Sequence, residues 1–263
     1  MGHYIVKILM LAAVLFVCMQ TMADDNEFGT WLSAGAEKKL NKKWSIETEA
    51  EFRVQDNMKK VDRWSGSLGV EYKAFKFLKF GMAYEFLYNY NMEDCNDHYN
   101  SSNVQNGYNI THAYWMPKHR VSLDVTGNKN LGNFSFSLRE RVQYTHNDST
   151  TVTRDKYRGL NDGNLYLDDT DIKTIESKNK WVLRSRLQAE YNISHSRFTP
   201  YTYMELFNSM NSGMALDKVR LSIGSQYKIN RQNSLKVGYI FNSSNDEDEP
   251  KGNILGISYT FKF

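Results

Sequence analysis

Residues 44–55 read WSIETEAEFRVQ, and this alternation limits the fold more than any other feature of the chain. Trp44, Ile46, Thr48, Ala50, Phe52 and Val54 form one set, apolar or small. Ser45, Glu47, Glu49, Glu51, Arg53 and Gln55 form the other, polar and mostly charged. Successive side chains of a strand point to opposite faces. A helix would mix the two sets around its circumference. The segment is therefore a strand, apolar on one face and charged on the other. The same period runs through 63–72, 78–90, 121–126, 134–144, 181–191, 219–227, 235–242 and 255–263. Phe198 to Asn208 also reads as a strand, with mixed faces. A weaker strand, Phe28 to Lys38, comes first.

Composition agrees with two-faced strands. The chain has 17 Tyr, 14 Phe and 5 Trp in 263 residues, yet its mean hydropathy is -0.61. So many rings argue against disorder. Averaging an apolar and a charged face gives a polar mean. The 33 basic residues nearly balance the 30 acidic ones, which gives no sign of a nucleic-acid partner.

Residues 1–23 stand apart. Lys7 precedes the apolar run Ile8 to Cys18, and Thr21-Met22-Ala23 offers small residues for a signal peptidase. This is the pattern of a secretory signal peptide cut before Asp24, leaving 24–263 as the mature domain. Cys18 leaves with it, so Cys95 has no partner for an intrachain disulfide. No later apolar run approaches the roughly 20 residues of a spanning helix. An exported chain of alternating strands is then either a soluble sandwich or a membrane barrel.

The connections favour the barrel. Short turns fall at 40–43, 74–77, 127–133, 192–197 and 228–233. Longer loops fall at 56–62, 91–118, 147–179, 209–217 and 243–251. Short turns on one side and longer loops on the other describe an all-β, antiparallel transmembrane β-barrel with short periplasmic turns and longer extracellular loops. Trp44, Tyr72, Tyr88, Tyr90, Tyr144, Trp181, Tyr191 and Tyr227 end the apolar faces, where interfacial girdles belong. The expected strand number is about 10–12. Ten strands run consistently from Trp44 to Phe263, and bacterial single-chain barrels normally have an even number. Phe28–Lys38 then adds an irregular strand, lies along the wall or lumen, or is one of twelve. Tyr259, Phe261 and Phe263 form an aromatic C-terminal pattern of the kind read by the outer-membrane assembly machinery. The expected location is the outer membrane of a Gram-negative bacterium. The expected partners are lipid, lipopolysaccharide and, during biogenesis, that machinery. The expected state is a monomer.

FGTWLSAGAEKKLNKKWSIETEAEFR (28–53), DRWSGSLGVEYK (62–73), KHRVSLDVTGN (118–128), FSFSLRERVQYT (134–145), LRSRLQAEYNI (183–193) and ALDKVR (215–220) resemble the outer-membrane family known as domain of unknown function 2490. The resemblance covers nearly the whole mature chain. It implies an outer-membrane barrel of a kind common in Bacteroidota, and it brings no catalytic residue and no substrate.

The charged face predicts a lumen network of Glu47, Glu49, Glu51, Arg53, Glu71, Glu85, Arg139, Arg141, Arg184, Arg186, Glu190, Arg220 and Lys236, with Glu205 and Lys218 on the same reading. Unpaired buried charge is costly. These groups either pair and close the lumen, or form walls of opposite sign that impose a transverse field on a permeating solute. Glu140 is out of place, on the apolar face between Leu138 and Val142. For catalysis the candidates are His119, His146 and Ser149, near a loop end, but their spacing is not diagnostic. Asp168-Asp169-Thr170-Asp171 and Asp246-Glu247-Asp248-Glu249 are acidic clusters that read as solvated loop or as divalent-cation ligands. No cofactor or resident metal is expected. The leading function is a small pore or structural membrane protein. The alternatives are a rim-active envelope enzyme acting on lipid or lipopolysaccharide, and an adhesin or scaffold acting through its long loops.

Overall fold

The computed structural model describes residues 28–101, 104–159, 165–244 and 252–263. Residues 1–23, read above as a signal peptide, and the acidic run Asp246–Glu249 lie outside the described residues. In chain order the strands are β1 (Phe28–Lys39), β2 (Trp44–Gln55), β3 (Lys60–Lys73), β4 (Leu78–Asn91), β5 (Asp94–Tyr99), β6 (Gln105–Thr111), β7 (Tyr114–Leu131) and β8 (Phe134–Asn147). There follow β9 (Thr150–Gly159), β10 (Leu165–Ile175), β11 (Lys178–Tyr191), β12 (Phe198–Ser209), β13 (Ala215–Lys228), β14 (Asn233–Ser244) and β15 (Gly252–Lys262).

Eleven of these close a barrel in the order β1-β15-β14-β13-β12-β11-β8-β7-β4-β3-β2. Phe28–Lys39 is thus a full wall strand. An up-and-down barrel with an even number of strands closes on an antiparallel pair. With eleven, the first and last strands run the same way. β1 accordingly pairs with β15 in parallel from Phe28↔Asn253 to Glu37↔Lys262. Every other barrel pair is antiparallel.

The outer wall carries the apolar set. Leu68, Met82, Leu123, Leu138 and Leu187 are all more than half exposed, which water would not favour and lipid does. Rings pair at both ends. Trp44–Tyr72, Phe134–Tyr191 and Phe198–Tyr227 sit beside short turns, with centroids 4.7, 4.9 and 4.7 Å apart. Tyr88–Trp115 and Tyr144–Trp181, both 4.8 Å, sit beside the long connections. These are two aromatic belts bounding an apolar band. Glu140 does lie on this outer face, and no bulge excuses it. The ladders of β8 run without a register shift, and Ser185 Oγ donates to Glu140 Oε2 at 2.5 Å.

The long connections differ from the loops expected of them. Residues 56–62 contain only a tight turn, with positive φ at Asp56, Asn57 and Met58, before β3 begins. The stretches 91–118 and 147–179 hold β5, β6, β9 and β10, a second sheet in the order β10-β9-β6-β5. That order repeats the barrel order β11-β8-β7-β4, each strand continuing its barrel neighbour after a two-residue break. One arc of the wall therefore rises past the rim as a four-stranded palisade. Its sequence is polar on both faces, so the alternation that marks the barrel strands is missing there.

Candidate functional site

The lumen has two walls of opposite character. Glu37 of β1, Glu47, Glu49 and Glu51 of β2, Glu71 of β3 and Glu85 of β4 stand on adjacent strands. The opposite arc, β8, β11, β13 and β14, carries Arg139, Arg141, Arg184, Arg186, Lys218, Arg220 and Lys236. The register aligns the acids: Glu47 faces Glu37, and Ser67 stands between Glu49 and Glu85.

Some of these charges pair locally. Arg53 Nε donates to Glu51 at 2.6 Å, Lys79 lies 2.9 Å from Glu71, and Arg120 Nη1 donates to Glu85 at 2.9 Å. Arg141 donates to Asp124 through Nε and Nη2, at 3.0 and 2.6 Å. Gln188 donates to Glu190 at 2.6 Å. Glu47 and Glu49 make no ion pair with any described residue.

The hub is Glu205 of β12, 0% exposed. Arg139 Nη2 reaches its Oε1 at 2.9 Å and Arg186 Nη2 its Oε2 at 2.9 Å. Arg184 Nη2 reaches both oxygens, at 3.1 and 3.2 Å, and Arg220 Nη1 lies 3.7 Å away. Aromatic rings fill the space between the cations. Arg184 lies over Phe207 at 4.6 Å, Arg186 over Tyr203 at 4.4 Å, and Lys236 over Tyr201 at 3.9 Å. Arg53 and Arg220 both lie over the Trp31 ring, at 3.8 and 4.7 Å. Cation–ring contact holds the guanidinium planes where few carboxylates are available.

These inward rings explain the mixed faces of β12, and they were not legible from the alternation. Tyr201, Tyr203 and Phe207 alternate with Thr202, Met204 and Leu206, so both faces look apolar. Trp31, Ile240 and Ile254 form a small apolar cluster on the lumen side beside the parallel seam. Tyr201 needs room: a Cβ on Gly238 or Gly224 would overlap its hydroxyl. Glu37, Arg63, Lys118, Arg120 and Asp124 join the lumen set from outside the sequence-level network, as do Lys178, Lys180 and Asp217 toward the long connections. Lys118 sits where β7 extends into the stretch 91–118 that reads as loop, and Arg120 lies just ahead of the alternation at 121–126.

A cavity of about 520 Å³ runs through this site. Its lining begins beside the short turns, at Glu37, Glu47 and Thr260, and ends beside the long connections, at Asn147, Lys178 and Asp217. Twelve of the lining residues are Lys or Arg and six are Asp or Glu.

His119 and His146 lie outside the lumen, on the outer face at the rim. They are direct cross-strand partners. Asp148 bridges them, 3.6 Å from His119 Nε2 and 3.4 Å from His146 Nε2. Tyr84 Oη bonds His119 Nδ1 at 2.7 Å, and Asn179 Oδ1 bonds His146 Nδ1 at 2.7 Å. Ser149 is exposed and hydrogen-bonds to neither histidine. The pair thus shares a carboxylate without a nucleophile in line.

In the palisade the acidic cluster is paired, not open. Arg154 donates to Asp171 at 2.9 and 2.5 Å, and Lys156 lies 2.8 Å from Asp171 and 3.0 Å from Asp169. The Arg154 and Lys156 donors hold the Asp171 carboxyl well below the usual carboxylate range. Hydrogen bonds from Thr170 and His112 lower Asp155. No group of three or more ligating side chains suited to a metal ion occurs among the described residues. Cys95 is exposed in β5.

A closed wall with a lipid-facing apolar band and a charged interior defines a transmembrane β-barrel. Residues 28–253 match the model of the family described as Protein of unknown function (DUF2490), and the chain belongs to that family. No curated protein matches the chain. Among solved structures, a "TodX deltaS2S3 mutant monoaromatic hydrocarbon channel" is similar at 12% identity and a TM-score of 0.43, over 78% of this chain and 68% of that one.

Proposed function

We propose that the protein is a narrow, charge-lined pore of the outer membrane, passing small polar solutes or ions through its lumen. The supporting observation is the cavity of about 520 Å³, whose lining reaches from the short-turn end to the long-loop end. Spread along the ~25 Å apolar band of a barrel wall, that volume gives a mean cross-section of about 20 Å². Such a path takes ions that shed part of their water shell and small solutes in file, and excludes large ones. The charged walls act on what passes. The short turns face the periplasm and the palisade faces outward, as in exported barrels. The leader at 1–23 and the aromatic end at Phe263 serve export and assembly, and the barrel works as a monomer.

The test is single-channel recording of the purified protein in planar bilayers. Discrete current steps of small conductance are expected, with heat-modifiable gel migration as the check of folding. A folded barrel that stays silent across a wide voltage range would refute the pore and leave the charges as a plug.

A further inference from the structure

We propose that the middle of the lumen holds a binding site for small oxyanions, those bearing phosphate or carboxylate groups, built on Arg139, Arg141, Arg184 and Arg186. The inference rests on the pore reading only for the route by which the anion arrives.

The first support is register. Pairing of β8 with β11 sets Arg141 directly opposite Arg184 and Arg139 directly opposite Arg186. Like charges directly opposite on one face are destabilising. Two consecutive pairs of this kind need counter-charge. The described residues supply Asp124 to Arg141, and Glu205 to Arg139, Arg184, Arg186 and Arg220. Four guanidinium groups, Arg139, Arg141, Arg184 and Arg186, thus share two carboxylates. The excess suits an anion of two or more charges.

The second support is unmet donors. The Nε atoms of Arg139, Arg184 and Arg186 are buried and hydrogen-bond to no described residue. Buried N–H groups normally have acceptors, and phosphate or carboxylate oxygens match the guanidinium fork. The third support is access: all four arginines line the cavity of about 520 Å³. Phe207 and Tyr203 cover one face of Arg184 and Arg186, holding them flat and leaving their edges for a ligand. Glu49, on the acidic arc, disfavours an anion on that side.

The experiment uses the full-length barrel in planar bilayers under a potassium chloride gradient, with inorganic phosphate and then succinate added. Expected are a reversal potential of anion-selective sign and a chloride current reduced by either additive. Arg139→Gln combined with Arg186→Gln weakens that block about tenfold or more, the loss of a bidentate contact. A conducting channel that is cation-selective, or indifferent to both additives, overturns the anion site and leaves the pore standing. If the barrel does not conduct, calorimetric titration of phosphate into the detergent-solubilised protein decides. Saturable binding supports the site while the pore fails, and absence of binding overturns both. Should the double variant not fold, the wild-type selectivity and block still decide.

Discussion

Glutamine at position 205 alters the hub of the lumen with almost no change of volume. The Glu205 carboxylate is wholly buried and receives Arg139, Arg184 and Arg186 at 2.9–3.2 Å, with Arg220 at 3.7 Å. Glutamine keeps one acceptor oxygen and the shape but removes the charge. Arg139 then faces Arg186 across the ladder with nothing between them to neutralise either. Removing one partner of a buried ion pair costs about 3–5 kcal/mol. Several cations depend on this one anion, so E205Q belongs near the upper end, about 4–5 kcal/mol. With a urea slope of about 2 kcal/mol/M, the midpoint of unfolding falls by about 2 M. The assay is urea titration in detergent micelles, read by heat-modifiable migration and tryptophan fluorescence. In the E205Q background, adding Arg139→Gln and Arg186→Gln removes the repulsion and recovers about half of the loss. A shift below about 0.5 M, or no recovery in the triple variant, would refute the claim that the charge of Glu205 holds the cluster together.

Three further outcomes follow from the geometry. Gly238→Ala places a methyl group against the Tyr201 hydroxyl and costs about 1–3 kcal/mol of stability; Tyr201→Ala in the same chain cancels much of that cost in a double-mutant cycle, and simple additivity would show that the two do not meet. Glu140→Leu removes a charge from the lipid face and gains up to about 1 kcal/mol in folding assays, with unchanged or lower stability counting against its lipid-facing placement. Asp171 and Asp155 have lowered carboxyl pKa values, so their contribution to the palisade is full above the unfolded value near ~4 and is lost as pH falls below it. Amide protection in β9 and β10, measured by hydrogen exchange, should therefore begin to drop below about pH 5 and keep falling to about pH 2 while the barrel stays protected; equal protection across that range would contradict this.

Legibility followed the period. β2 was plain because its two faces differ at nearly every step, Glu47, Glu49 and Glu51 against Ile46, Ala50 and Phe52. β12 was obscure because its inward face carries Tyr201, Tyr203 and Phe207, rings whose lumen place depends on cations supplied by β11, β13 and β14. β5, β6, β9 and β10 were hidden because the residues of the palisade are mostly polar and carry no sustained alternation. Its strands are held by paired charges such as Arg154–Asp171, whose spacing in the chain carries no period.

Alternation by itself determined that the chain is built of two-faced strands, and the short-turn, long-loop rhythm with aromatic ends selected the membrane barrel over a sandwich, because period two lets one wall give lipid and lumen different surfaces. The sequence also determined which residues could face inward. Tertiary structure decided how the wall closes, since a strand's partner at the seam depends on the parity of the count and not on any local signal. It also decided which charges meet. Glu205 reaches Arg186 19 residues away, Arg184 21 and Arg139 66, and only the register of three neighbouring strands brings them around one carboxylate.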